Sequence, residues 1–126
     1  MKLSQHPVNL ALGFLLEITA IAATAYKGFS LTSGQMRYFL MFLLPVVTAS
    51  VWGVFKVDME PPLNKKALIP VSGIVRLIIE IVVLLFALWC MISFNYLFAI
   101  GYLFLIVSHY LISYDRVIWL LRHRKV

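Results

Sequence analysis

This chain predicts an all-α integral membrane protein, a bundle of four helices, on three observations. Of its 126 residues, 63% are hydrophobic and 13% charged, whereas a soluble domain is nearer ~45 to 50% apolar. The apolar residues form four runs, each about the roughly 20 residues that a membrane-crossing helix needs. The charges gather between those runs and at the C-terminal end. Four crossings consume most of the chain, so residues 1–126 make one transmembrane domain with the lipid bilayer as its first partner.

The first helix is expected over residues 7–26. It opens on Pro7, whose missing N–H costs nothing in a first turn, and is interrupted only by Glu17. Residues 27–35, with Gly28, Ser30, Thr32, Ser33 and Gly34, read as a short loop. The second helix covers 36–55, with Pro45 freeing the carbonyl of Met41 and predicting a kink. Residues 56–70 carry Asp58, Glu60, Pro61, Pro62, Lys65 and Lys66, and form the one sizeable polar loop. Helices over 71–92 and 96–120, joined by a turn at 93–95, make an antiparallel hairpin.

Lysines and arginines in short loops retard translocation and set orientation. Lys2, Lys56, Lys65, Lys66, Arg116, Arg122, Arg124 and Lys125 fall on one side, and only Lys27 and Arg37 on the other. The first side is expected to be cytoplasmic, with both termini. Trp52, Tyr114 and Trp119 near one boundary, and Tyr26, Tyr38, Trp89 and Tyr96 near the other, fit aromatic belts. Lys2 before an apolar run and Ala23-Thr24-Ala25 resemble a cleavable signal, but Glu17 in the middle of that run argues for a retained helix.

The net charge of +6 reads as topology rather than nucleic-acid binding, because the basic residues form no stripe with interleaved aromatics. The basic end, Arg122 to Lys125, would also suit anionic lipid head groups. Cys90, the one cysteine, forms neither an internal disulfide nor a cysteine-based metal site. No spacing shows an activated nucleophile with an ordered base, so an enzyme is not expected, and neither a cofactor nor a metal is implied.

Shifting the chain by 63 residues pairs Pro7 with Pro70, Val8 with Val71 and Glu17 with Glu80. The pairing suggests two parallel-repeated helical hairpins. Both acids then lie about 15 Å into their helices, near the middle of a ~30 Å hydrocarbon core. Arg76 is four residues before Glu80 and shares its face. Ser108, His109 and Tyr110 on the fourth helix and Thr48 on the second reach a similar depth. The candidate site is therefore Glu17, Arg76, Glu80 and His109, edged by Thr48, Ser108 and Tyr110. Gly13, Glu17, Ala20 and Thr24, and Gly73, Arg76, Glu80, Val83 and Ala87, are the faces expected to turn inward, because charge facing lipid is costly.

At Asn9-Leu10-Ala11-Leu12-Gly13-Phe14-Leu15-Leu16-Glu17, Val51-Trp52-Gly53-Val54-Phe55 and Arg76-Leu77-Ile78-Ile79-Glu80, the chain resembles the YrdB-like family of small bacterial membrane proteins. The resemblance spans nearly the whole chain and implies a bacterial cytoplasmic-membrane protein without assigning a mechanism. The family's pattern carries an arginine at the position of Gly13, so this chain departs from a doubled Arg-x-x-x-Glu and is left with an excess acid.

Two acids against one arginine suggest an oligomeric transport or permeation protein in which Glu17 and Glu80 bind a proton or a cationic solute. The alternative is an accessory subunit of a membrane complex, its polar layer purely architectural and its Pro61-Pro62 loop or basic end contacting a partner. A third reading is a binder of a lipid or quinone-like molecule between the helices.

Overall fold

A computed structural model describes residues 5–60 and 65–123. The order is α1 (Pro7–Leu31), α2 (Gln35–Val54), β1 (Phe55–Lys56), β2 (Ile69–Pro70), α3 (Gly73–Ile92), α4 (Tyr96–Ile112) and α5 (Tyr114–Arg122). Among the described residues the fold is all-α apart from one two-residue ladder. By length and composition α1, α2 and α3 are each able to cross a membrane, and α4 with α5 would make a fourth crossing if the bent pair is one span.

The helix α1 runs five residues beyond the expected 26. Lys27, read as loop, lies 4.4 Å from the centre of the Trp89 ring, and Ser30 Oγ donates to the carbonyl of Lys27, so the polar residues are satisfied without leaving the helix. The turn is only residues 32–34, where Gly34 takes φ +69, a region that favours glycine. Just before it, Gly28 lies so close to the Leu40 backbone that a Cβ would overlap it. Arg37 Nε closes the same corner on the carbonyl of Phe29. The α1–α2 hairpin is thus clamped at this end. Gly28→Ala is expected to cost about 1–3 kcal/mol through overpacking. Gly101→Ala, where nothing lies within 4 Å, should be neutral or slightly stabilising; thermal unfolding of the detergent-purified proteins measures both.

The helix α2 runs unbroken through Pro45 and lies outermost, with Thr48 its only buried residue. Where it ends, β1 pairs in parallel with β2, Phe55 opposite Ile69 and Lys56 opposite Pro70. The ladder moves the start of α3 to Gly73, two residues later than expected. Asp58 Oδ1 accepts from the Ala67 amide at 2.7 Å, and the Met59 amide donates to the carbonyl of Lys65, drawing the two arms of the polar loop together. The Pro61-Pro62 segment lies outside the described residues.

The largest departure is at the fourth helix, expected to be continuous over 96–120. It breaks at Ser113, and α5 turns away from α4 by 67°. The turned helix docks beneath α3: the Gly73 amide donates to the carbonyl of His123 at 2.7 Å, and the bare Cα of Gly73 abuts the Leu120 backbone. Ser113, at the corner, is fully buried and accepts from Asn9 Nδ2 at 2.7 Å. A buried hydroxyl needs such a partner, and this bond ties the corner to the first turns of α1.

Leu16, Ala20 and Ala23 of α1 pack on Leu84, Ala87, Cys90 and Met91 of α3 and on Ala99 and Tyr102 of α4. Small residues let the helices approach closely, and Tyr102 Oη donates to the carbonyl of Leu16. The expected inner face of α3, Gly73, Arg76, Glu80, Val83 and Ala87, is buried throughout. That of α1 is rotated: Asn9, Leu16, Ala20, Ala23 and Thr24 are buried, leaving Gly13 and Glu17 half-buried at its edge.

Candidate functional site

Glu80 is buried, at 2% exposed. Its position follows from the α3 pattern, in which residues 73, 76, 80, 83 and 87 repeat at helical spacing. Arg76, one turn earlier on that face, donates from Nε to Glu80 Oε2 at 2.8 Å. The other side of its guanidinium reaches the end of α2, where Nη1 donates to the carbonyls of Trp52 and Phe55. Those carbonyls are among the last of a helix, which have no partner within it, and a cation suits the negative end of the helix dipole. The guanidinium carbon also lies 5.0 Å from the centre of the Trp52 ring.

The opposite side of Glu80 is taken by Arg116 of α5. Its Nη1 and Nη2 donate to Oε1 at 3.0 Å and Oε2 at 2.7 Å, the bidentate fork in which arginine surpasses lysine. Tyr110 Oη donates to Oε1 at 2.8 Å. Nε of Arg116 turns outward to Glu60 in the polar loop. Two arginines therefore meet two glutamates, and the network is neutral. It ties together the end of α2, the loop, α3, α4 and α5.

Arg116, expected to mark only the cytoplasmic boundary, and its partner Glu60, read only as a loop charge, are the charged residues of this network that sequence reasoning missed. Tyr110 is already level with Glu80, and six further residues of straight helix would carry Arg116 about 9 Å away. The bend at Ser113 brings it back. A signal was present: Ser113, followed by Asp115 and Arg116, reads as a helix start with an acid in its first turn, which ends one helix and begins another.

Glu17 does not join this network. It is half-buried and has no ion pair or hydrogen bond among the described residues. It lines a cleft of about 450 Å³ that also touches His109, Tyr110, Arg76 and Glu80, with Lys56, Lys65 and Lys66 at the loop end. The cleft lies at the opposite end of α1 and α2 from the Gly28 clamp.

His109 edges the cleft and is held by Asn9, with Nδ1 at 3.0 Å from Asn9 Oδ1. A Cβ on residue 13 would come within 3.0 Å of its ring, so Gly13 leaves the room that the imidazole fills. Thr48 and Ser108, placed at the edge of the site by depth alone, are not brought to it. Thr48 Oγ1 donates to its own helix at the carbonyl of Leu44, and neither residue lines the cleft. Among the described residues no group of three His, Cys, Asp or Glu side chains is placed to hold a metal ion.

These features define a small all-α protein, with helices long and apolar enough to cross a membrane, assembled around a buried and charge-balanced arginine–glutamate network. The chain belongs to the family described as Protein of unknown function (DUF2568), which matches residues 11–108. It is also 37% identical over 122 residues to Uncharacterized protein YrdB of Bacillus subtilis (strain 168), covering 95% of this chain and 97% of that protein. No solved structure matches. The family match encloses Glu17, Arg76 and Glu80 and ends before Tyr110 and Arg116.

Proposed function

We propose that the protein crosses a bacterial cytoplasmic membrane four times, with both termini in the cytoplasm, and binds a solute in the cleft beside Glu17 for proton- or cation-linked permeation. In this reading α1 to α4 cross the bilayer and α5 lies along its cytoplasmic boundary, with no bond-making chemistry involved. One observation carries the proposal: of the two acids within the long apolar helices, Glu80 is held by two arginines and a tyrosine, while Glu17 faces a cleft with no partner among the described residues. An ionisable group placed inside a membrane is costly unless it serves a pathway or a partner. The architectural half of the accessory-subunit reading also has support, because the Glu80 network needs no ligand to complete it.

Trp52 lines the cleft and supplies the readout. In a Trp89→Phe/Trp119→Phe background, the detergent-purified protein is expected to show Trp52 emission that changes with pH. Glu17→Gln should abolish this response while unfolding at the same temperature. Absence of the response in the parent protein, or its persistence in Glu17→Gln, would overturn the assignment.

A further inference from the structure

We propose that the occupant of the cleft is a membrane lipid with a phosphate head group, bound through Lys56, Lys65 and Lys66 at the mouth, its chain lying along Leu10, Phe14 and Leu68. The inference rests on the reading of the cleft as a solute site and names the class of solute.

Charge balance carries the first part. Within the cleft, Arg76 and Arg116 are neutralised by Glu80 and Glu60. What remains is Lys56, Lys65 and Lys66 against Glu17, and none of these four makes an ion pair among the described residues. Three lysines and one carboxylate in the lining leave the cleft positively charged, and clefts lined by one sign of charge concentrate the opposite ion. A phosphate diester or monoester matches that excess. Glu17, deeper than the lysines, is an acceptor for a donor on the same head group, a hydroxyl or an ammonium.

The walls carry the second part. Beside the lysines the rim is apolar and open, with Phe14 63% and Leu68 81% exposed. Free phosphate would satisfy the lysines and leave this rim bare. A lipid covers both, with its head group at the lysines and its chain on the exposed apolar rim.

The test uses full-length protein in detergent with Trp52 as the only tryptophan, titrated with dihexanoyl phosphatidylglycerol, dihexanoyl phosphatidylcholine and inorganic phosphate. Phosphatidylglycerol offers an anion with hydroxyl donors, phosphatidylcholine neither net charge nor donor. The expected result is saturable binding of phosphatidylglycerol, at least about tenfold tighter than phosphatidylcholine, with no response to phosphate alone. Lys65→Gln/Lys66→Gln should weaken it about tenfold or more, as expected for two lysines contributing about 1 kcal/mol each to an anionic lipid. Lys27→Gln, at the opposite end of α1, should leave it unchanged. Equal affinity for the two lipids, or indifference to the lysine pair, overturns the lipid assignment; saturable binding of phosphate alone assigns the lysines to a free anion instead. If the Glu17-dependent pH response persists in either case, the cleft remains a solute site and only the ligand class is wrong. If that response is also absent, both readings fall.

Discussion

Glu80→Gln is expected to destabilise the protein by about 3–5 kcal/mol, the scale on which removing one partner from a buried ion pair acts, because it leaves the other charge without compensation. Here the variant would take the carboxylate from two guanidinium groups, Arg76 at 3% exposure and Arg116, which would keep Glu60 alone. Chemical unfolding of the detergent-purified protein reads this loss. Adding Arg116→Gln should restore part of it, since Arg76 keeps the carbonyls of Trp52 and Phe55 while the bidentate partner no longer needs an anion. A double-mutant cycle should return a coupling of about 1–3 kcal/mol between residues 80 and 116. Additive effects would mean that the two side chains do not act as a pair.

Arg76→Lys is the second large effect, about 2–4 kcal/mol, although the charge is kept. The planar guanidinium serves a carboxylate on one side and two carbonyls on the other, and a single ammonium does not reproduce that geometry. The last carbonyls of α2 then lose their cap, at a cost expected for buried polar groups left without partners. Hydrogen exchange localises the damage: amides in residues 52–57 should exchange faster in Arg76→Lys, with those around Leu84 and Ala87 changed only as far as global stability falls. Uniform acceleration along the chain would argue against a capping role.

Much of this architecture was legible in the sequence because its helices are long, apolar and nearly unbroken. The bounds of α2 and α3 lie within two residues of those read from hydropathy, and the Arg76–Glu80 pair follows from spacing alone. What escaped detection depends on chain segments that meet only in three dimensions. The ladder of Phe55–Lys56 on Ile69–Pro70 has no local periodicity long enough to register. The Ser113 bend is stabilised by Asn9, at the other end of the chain, and without that bend Arg116 has no route to Glu80.

The same limit explains Glu17. A shift of 63 residues made it the counterpart of Glu80, and helical spacing grouped it with Gly13, Ala20 and Thr24. The face of α1 that packs is instead centred on Leu16, Ala20 and Ala23, which rotates Glu17 to the cleft. The two acids thus differ in kind: one is enclosed by arginines, the other looks onto open space. Thr48 and Ser108 show why depth alone misleads, since a hydroxyl inside a helix often bonds its own preceding turn. Arg122 and His123 close α5, while Arg124 and Lys125 lie outside the described residues.

The division of labour between the two acids is tested most directly by comparing Glu17→Gln and Glu80→Gln with the parent protein in one unfolding experiment, in the same detergent and at the same pH. Glu17→Gln should unfold with the parent, within roughly 0.5 kcal/mol as for substitutions that break no buried contact, and Glu80→Gln should fall far below both. Equal losses in the two variants, or a Glu80→Gln protein as stable as the parent, would contradict the assignment of Glu80 to the frame and Glu17 to the cleft.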